Sequence, residues 1–174
     1  QLRSLDLSDT AVSDNGLEAF VQLNSLDELF LYRTHVSDAG MESLARLTRL
    51  RALNLGSTAV SDKGLEALKG LHDLESLNLN DTKVGDVGLS HLRGLVQWKA
   101  LALAGLNITS RGLAQLTVLP RLSHVVLEGP RVTDAEVLQL RAFPRLRHLI
   151  LWNTSVTVEA LNELEKANPD LKIY

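Results

Sequence analysis

The sequence contains no cysteine and is poor in proline, methionine and aromatic residues. Its 174 residues include four Pro, one Met, three Phe, two Tyr and two Trp. The absence of Cys excludes disulfide cross-links, thiolate metal sites and cysteine nucleophiles. Because aromatic side chains are so few, the core has to be built from aliphatic residues that are used repeatedly.

Long apolar segments and a strong charge bias are also missing. No apolar run approaches the roughly 20 residues that cross a bilayer. The formal net charge is −3 and the basic residues are spread along the sequence, which does not favour a polyanion as partner. With 45% hydrophobic and 22% charged residues, the composition is typical of a folded, soluble chain. We therefore expect neither a membrane span nor a nucleic-acid partner.

Leucine returns at an interval of 24 residues along almost the whole chain. Starting from Leu2, the same position is occupied by Leu26, Leu50, Leu74, Trp98, Leu122 and Leu146. This periodicity predicts one repeat domain over residues 1–174. Its seven repeats are 2–25, 26–49, 50–73, 74–97, 98–121, 122–145 and 146–170, followed by a short capping strand at 171–174.

Each repeat carries two different apolar periodicities. In the third repeat, Leu53 and Leu55 alternate with polar residues, as in a strand with one buried face, whereas Leu65 and Leu68 follow the step of a helix. Neither element can bury its apolar side alone, so successive repeats have to stack. The sequence thus predicts an α/β fold, a curved solenoid with a parallel sheet on the concave face and helices on the convex face.

Three polar positions of the repeat have structural interpretations. Ser or Thr followed by Asp, as in Ser61–Asp62, is typical of a helix start. A glycine two residues after that Asp, such as Gly64, allows close packing between layers. A threonine after the strand, such as Thr58, can satisfy turning backbone. Leu106 and Pro130 replace this threonine, which indicates either variation of the turn or a shifted loop that shapes a binding surface.

The segments LRALNLGSTAVSDKGLEALKGL (50–71) and LESLNLNDTKVGDVGLSHLRGL (74–95) resemble leucine-rich repeats, and the resemblance extends over essentially the whole chain. The 24-residue length and the V-[ST]-D-x-G-L segment are similar to the cysteine-containing subclass found beside F-boxes and to its bacterial relatives. Here threonine stands at the usual Cys or Asn position, as in Thr34 and Thr82. The resemblance implies a protein-binding horseshoe whose ligand lies on the concave strand face, and it implies no catalytic residues.

The two ends of the sequence differ. Pro169 ends the last helix, and Leu171 with Ile173 can add a short strand that closes the sheet. At the other end a strand begins almost at Gln1, which leaves an apolar edge that solenoids usually cover with a cap. We therefore expect a fragment that lacks its N-terminal cap, with a further domain or further repeats preceding Gln1.

The sequence lacks the motifs of hydrolases, metalloproteases, phosphate-binding loops and dinucleotide sites. His124 and His148 lie one repeat apart, so their side chains should be neighbours about 5 Å apart on adjacent strands. They form either a solvated pair or part of a zinc site, but no third or fourth ligand is evident. We expect no catalytic residue, no metal and no cofactor. The pair also predicts that ligand binding changes with pH near 6.5.

The candidate binding residues are those that the repeat does not require. The first group, which we call the repeat-2 patch, is Glu28, Phe30, Tyr32 and Arg33. The second group, the C-terminal patch, is His124, Val126, Glu128, His148, Ile150 and Trp152. Exposed aromatic residues with Arg, or an apolar centre with a polar rim, are typical of protein interfaces.

From the sequence we expect a non-catalytic module that binds a protein or peptide on its concave face. One alternative is the substrate-specificity module of a larger enzyme, such as a ubiquitin-ligase adaptor or a bacterial effector. The other is a structural or self-associating spacer. The compartment is not encoded by any recognisable signal, and the absence of Cys favours an intracellular, cytoplasmic setting.

Overall fold

A computed structural model describes residues 2–174. Its eight strands form a single parallel sheet and lie in the order of the sequence. Each strand pairs with the next at an offset of 24 residues, for example Leu29 with Leu53. The strands are β1 Ser4–Asp6, β2 Glu28–Phe30, β3 Ala52–Asn54, β4 Ser76–Asn78, β5 Ala100–Ala102, β6 His124–Glu128, β7 His148–Trp152 and β8 Lys172–Ile173. The predicted parallel sheet is confirmed.

The helices form the second layer and are short. They are α1 Asp14–Leu17, α2 Met41–Leu44, α3 Asp62–Leu65, α4 Asp86–Ser90, α5 Ser110–Gln115, α6 Asp134–Gln139 and α7 Val158–Ala167. Four of them continue as 3₁₀ turns at Glu18–Phe20, Glu66–Gly70, Leu116–Val118 and Leu140–Ala142. None of the helices within residues 2–174 has the length and apolar character needed to cross a membrane.

The core lies between the two layers and consists mostly of stacked leucines. Leu29, Leu53 and Leu77, which occupy the middle of successive strands, are at most 2% exposed. Trp98 takes the place of a leucine at the start of repeat 5 and is completely buried. Since every repeat packs its apolar residues only against its neighbours, the fold is held together by a series of similar interfaces.

The predicted Ser/Thr–Asp pair stands at the helix start in repeats 1, 3 and 6. Repeat 4 keeps only the aspartate, after Gly85, and repeats 5 and 7 keep only the threonine. The Ser61 and Thr109 side chains accept hydrogen bonds from backbone N–H groups in the first turns of α3 and α5. In repeat 2 the helix begins only at Met41, directly after Gly40, and Ser37 starts a turn instead. Where the Ser/Thr–Asp pair is present it marks the turn that leads to the helix layer, whereas the helix bounds vary.

The aspartates at the helix starts also have a role that the sequence did not predict, because they bind the next repeat. Asp38 Oδ1 accepts a hydrogen bond from the Ser61 backbone N–H (2.7 Å), and its Oδ2 accepts one from the Ser61 hydroxyl (2.5 Å). The same pairing joins Asp14 to Ser37 and Asp86 to Thr109. Burial alone would raise the pKa of Asp38, but the hydrogen bonds from Ser61 and Gly64 outweigh it and the pKa is lowered.

The glycines after these aspartates leave room for the carboxylates. A Cβ atom at Gly40 would lie 2.6 Å from Asp14 Oδ1, and one at Gly64 would lie 2.5 Å from Asp38 Oδ1. Real Cβ atoms do not approach an oxygen so closely, so a side chain at these positions would displace the aspartate. The predicted close packing is present, and its partner is the carboxylate of the preceding repeat.

One interface replaces this aspartate–glycine pair by a serine–glutamate pair. Ser110 occupies the aspartate position of repeat 5, and Glu136 occupies the glycine position of repeat 6. Glu136 Oε2 accepts hydrogen bonds from the Thr133 N–H (3.0 Å) and hydroxyl (2.7 Å), while its Oε1 accepts one from the Ser110 N–H (3.0 Å). A carboxylate thus lies at this interface as well, but it comes from the following repeat.

In repeats 1 to 4 a threonine follows the strand, and its hydroxyl donates to the carbonyl three residues before it. The hydroxyls of Thr34 and Thr58 donate to the carbonyls of Leu31 and Leu55, at 2.7 and 2.6 Å, and both threonines are buried. Leu106 and Pro130 offer no hydroxyl at this position; β5 nevertheless keeps three residues, whereas the pairing of β6 with β7 continues for two further residues. Both strands therefore have five residues, where the other six have two or three.

Candidate functional site

The concave face is formed by the strand residues that alternate with the buried leucines. In β2, Leu29 is buried while Glu28 is exposed and Phe30 is half-buried on the opposite side. The regular register places equivalent residues of neighbouring repeats side by side. The ten candidate residues therefore fall into two groups on the same sheet, one at β2 and one at β6 and β7.

The C-terminal patch is brought together as expected. His124 pairs with His148, Val126 with Ile150 and Glu128 with Trp152 across β6 and β7. The two imidazole rings are stacked, with centroids 4.4 Å apart and planes 11° apart. Val126 and Ile150 are half-buried, and Trp152 is 62% exposed. An exposed indole thus stands beside an apolar strip that is bounded by imidazole and carboxylate groups.

Tyr174 belongs to this patch and was missed in the sequence analysis. Its ring is stacked on His148 with centroids 6.0 Å apart, and its hydroxyl lies 3.4 Å from His148 Nδ1. The register of β7 with β8, in which His148 faces Lys172, explains this position. The signal was present in the capping strand predicted at 171–174, since continuing the alternation by two residues from Lys172 places Tyr174 on the concave face.

The histidine pair shifts the first of its members toward the neutral form. Two effects lower the pKa of His124: the shielding of its ring from solvent and the proximity of His148. The ring is shielded although the residue as a whole is exposed. Over residues 2–174, no three His, Asp or Glu side chains come together as a possible metal-binding group. The His124, His148 and Tyr174 rings form a continuous aromatic stack across β6, β7 and the C-terminal strand.

The repeat-2 patch is held by contacts with both neighbouring repeats. The Tyr32 ring lies over repeat 3, where a Cβ atom at Gly56 would be only 3.0 Å from its Cδ2 atom. Arg33 has its guanidinium 5.4 Å from the centre of the Tyr32 ring and donates to Asp9 Oδ1 at 3.2 Å. The ring and the guanidinium are thereby presented together, an arrangement that suits cation–π and hydrogen-bonded contacts to a ligand.

In each repeat, one residue of the turn that follows the strand has a left-handed backbone conformation. This position has positive φ in all seven repeats: Asp9, Arg33, Ser57, Asp81, Gly105, Gly129 and Asn153. Gly, Asn and Asp tolerate this conformation, whereas Arg does so at a cost of about 1–2 kcal/mol. Arg33 is therefore not a residue that the turn prefers, and its side chain contacts Asp9 and Tyr32.

Repeats 3 and 4, which separate the two patches, use their concave polar side chains internally. Asn54 Oδ1 accepts a hydrogen bond from the Gly56 N–H (2.9 Å), and Asn78 Oδ1 accepts one from the Asn80 N–H (2.8 Å). Phe30, Val126 and Ile150 stand at the same repeat position and have no such acceptor. The middle of the concave face therefore carries small side chains whose polar groups bond to nearby backbone, while the large side chains lie in the two patches.

A shallow depression of about 360 Å³ lies where the threonine is replaced in repeats 5 and 6. It is lined by Gly105, Leu106, Asn107, Glu128, Gly129, Pro130 and Arg131. Arg131 donates to Asn107 Oδ1 at 2.6 Å across this depression. Glu128 lines this depression and also pairs with Trp152, so the depression adjoins the C-terminal patch.

Comparisons with known proteins agree with this architecture. A family model described as Leucine Rich repeat matches residues 2–21, 47–69 and 70–92. An internalin from Listeria monocytogenes has a similar crystal structure, with a TM-score of 0.72 and 22% sequence identity. The match covers 99% of this chain and 46% of the internalin chain, so the chain spans about half the length of that protein. A search of curated protein sequences finds no match.

Proposed function

The chain is a leucine-rich-repeat protein, and from this premise we propose that it is a recognition module that holds a protein or peptide against the concave face of its sheet. Proteins of this architecture serve generally in protein interactions. The proposal adds a location, namely the C-terminal patch as the main contact and the repeat-2 patch as a second one. It includes no catalytic step.

The exposure of Trp152 is the observation that carries the proposal. An indole that is 62% exposed contributes little to the fold, and it stands beside the cross-strand pair of Val126 and Ile150. Tryptophan is among the residues whose truncation weakens interfaces most, often by about 2 kcal/mol or more. The apolar centre with His124 and Glu128 at its rim has the composition of an interface core and its border.

The repeat-2 patch supports a second contact. Five strand steps separate Tyr32 from Trp152, which corresponds to about 25 Å at ordinary strand spacing. An interface of standard size has this extent, so one ligand surface can cover both patches. The small, internally bonded side chains of repeats 3 and 4 leave the space between the patches unobstructed.

The test is capture of partners from a lysate of the source organism with three forms of the chain. The first is the wild type, the second is Phe30→Ala/Tyr32→Ala/Trp152→Ala, and the third is the control Val87→Ala. Val87 is also 62% exposed but lies on helix α4, away from the sheet. We expect a partner that binds the wild type and the control and is lost with the triple variant.

Purified partner should then bind the triple variant at least about 30-fold more weakly, the equivalent of about 2 kcal/mol from one anchor. Equal binding of all three forms would contradict the concave-face proposal. If the captured partner is an enzyme subunit, the chain is the specificity module of a larger enzyme. Concentration-dependent self-association that is indifferent to the triple variant would instead identify a structural spacer.

A further inference from the structure

Four basic side chains from repeats 5 to 7 meet at the edge of the sheet where the strands begin. They line a depression of about 420 Å³, and we call its five residues the basic edge: Lys99, Arg121, Ser123, Arg145 and Arg147. Lys99, Ser123 and Arg147 stand at one repeat position, and Arg121 and Arg145 stand at another. The basic residues that look scattered in the sequence are thus collected here by the stacking of repeats.

The charges of the basic edge are only partly neutralised. Lys99 pairs with Glu75 at 2.5 Å, and Arg147 lies 3.6 Å from Asp170. Arg121 and Arg145 form no ion pair with any residue between 2 and 174. Four positive groups therefore face two negative ones, and the depression carries an excess of about two positive charges.

The contrast with the first repeats shows that this excess is local. In repeats 1 to 4 the position before the strand alternates in sign, and Arg3 pairs with Asp27 at 2.7 Å while Arg51 lies 4.0 Å from Glu75. Lys99 in repeat 5 still continues the alternation, which ends in repeat 6 because Ser123 stands where the next acidic residue would follow. Arg121 also contributes, after the hydrogen bond from Lys99, to a pKa of Glu75 below its usual value.

We propose that the basic edge binds a phosphomonoester group carried by the protein or peptide on the concave face. Such a group carries about −1.5 to −2 charges at pH 7, which matches the excess, and its oxygens accept the paired N–H groups of guanidinium. Arginine is the side chain best suited to this bidentate contact. Three arginines with one lysine therefore favour a phosphate over a single carboxylate.

The basic edge is continuous with the C-terminal patch, which places the phosphate relative to the rest of the ligand. Ser123 directly precedes His124, and Arg147 directly precedes His148. The Ser123 hydroxyl lies 2.9 Å from His124 Nδ1 and also donates to the Lys99 carbonyl at 3.2 Å. A ligand segment that runs along β6 and β7 from Trp152 toward His148 would thus reach the basic edge where the same strands begin. This inference rests on the proposed function.

The direct test uses the isolated chain and inorganic phosphate. Phosphate is titrated at constant ionic strength while the arginine Nε–Hε NMR signals of the wild type are followed. We expect saturable shifts at Arg121, Arg145 and Arg147. In Arg121→Gln/Arg145→Gln the affinity should fall at least tenfold. The matched control is Arg46→Gln/Arg49→Gln, which removes the same charge from two exposed arginines of repeat 2 and should stay within twofold of the wild type.

Equal loss in both double variants, or shifts spread over all arginines, would overturn the proposal, because the effect would then be general charge attraction. Further arms compare a short phosphoserine peptide with its glutamate and unphosphorylated versions. The phosphopeptide should bind at least tenfold more tightly than the glutamate peptide. Equal binding of the two peptides, or tighter binding of a mixed-sequence single-stranded oligonucleotide, would contradict the assignment to a phosphomonoester.

The outcome is separable from that of the proposed function. If the concave triple variant keeps its partner while phosphate still binds the basic edge, the concave-face proposal fails alone. If the partner is lost with the triple variant but phosphate binding is insensitive to Arg121→Gln/Arg145→Gln, this inference fails alone.

Discussion

The first four repeats and the last three share one sheet and one core, but they differ at the positions that the core does not determine. In repeats 1 to 4 each interface is joined by an aspartate from the preceding repeat, and threonine hydroxyls close the strands. In repeats 5 to 7 the carboxylate of one interface comes from Glu136, Pro130 replaces a threonine, and β6 and β7 are longer.

The surface features follow the same division. The C-terminal patch and the basic edge lie in repeats 5 to 7, whereas repeats 3 and 4 present small side chains that bond their own backbone. The repeat-2 patch differs, because it places large side chains on an otherwise regular scaffold. New surface residues are therefore found on a repeat whose bonds to its neighbours are regular, as in repeat 2. They are also found where the bonds between repeats have been exchanged, as in repeats 5 to 7.

The largest effect that tests this division is expected from a glycine. In Gly112→Ala the added Cβ atom would collide with Asp86 Oδ1, the acceptor for Thr109. The lost hydrogen bonds and the strain should lower the free energy of unfolding by about 2–4 kcal/mol. The measurement is urea denaturation followed by circular dichroism.

Gly16→Ala is the matched control, because no carboxylate lies within 4 Å of the Cβ position of Gly16 and the added atom would meet only Val12, at 3.4 Å. It should be neutral or stabilising by up to about 1 kcal/mol, since alanine reduces the entropy of the unfolded chain. If both variants lose the same stability, the loss does not come from contact with the carboxylate, because Gly16 has none beside it. Helix propensity alone would make both variants more stable.

A somewhat smaller effect is expected at the interface of repeats 5 and 6, where a serine–glutamate pair replaces the aspartate–glycine pair. Glu136→Gly removes the acceptor for Ser110 and for both donors of Thr133, and should cost about 2 kcal/mol. Ser110→Asp alone brings a second carboxylate next to Glu136 and should also destabilise. The double variant Ser110→Asp/Glu136→Gly recreates the regular pair and should recover most of the loss.

The coupling energy of this double-mutant cycle is expected to be about 1–3 kcal/mol, as for residues that share hydrogen-bond partners. It is obtained from the urea denaturation of the four proteins. Additive losses would mean that the two positions are independent, and the comparison between the two kinds of interface would then have no energetic content.

The sequence predicts the sheet, its register and the core well because these features are periodic. One 24-residue alignment fixes the strands, their register and the buried leucines, and it also identifies the glycines as close-packing positions. It does not reveal that Asp38 bonds to Ser61, because the two residues belong to different repeats and the local explanation of a helix start is already sufficient. The exchange of Ser110 and Glu136 is hidden for the same reason.

The candidate site is less accessible from the sequence, since it depends on neighbours in the sheet that are about one repeat apart. The stacking of His124 and His148 follows from their spacing, and Tyr174 follows only once the register of β8 is known. The basic edge requires two repeat positions to be seen together in space. The left-handed backbone of Arg33 was not predicted, because arginine gives no signal for it.

The smallest expected effect concerns pH and the aromatic stack of repeats 6 and 7. The pKa of His124 is lower in the folded chain than in the unfolded chain because of shielding and the proximity of His148. The unfolded chain therefore binds more protons as the pH falls below about 6.5, so the stability is complete above this pH and decreases as the pH falls toward the folded pKa. The loss should stay below about 1 kcal/mol, since the group is largely in contact with solvent.

The measurement is the urea midpoint at pH 7.5, 6 and 5. It should decline more for the wild type and for the control His72→Gln, which changes an exposed histidine of repeat 3, than for His124→Gln. A decline of the same size in His124→Gln would assign the pH dependence to other groups, such as the carboxylates, and would remove the stack as a difference between the two halves of the solenoid.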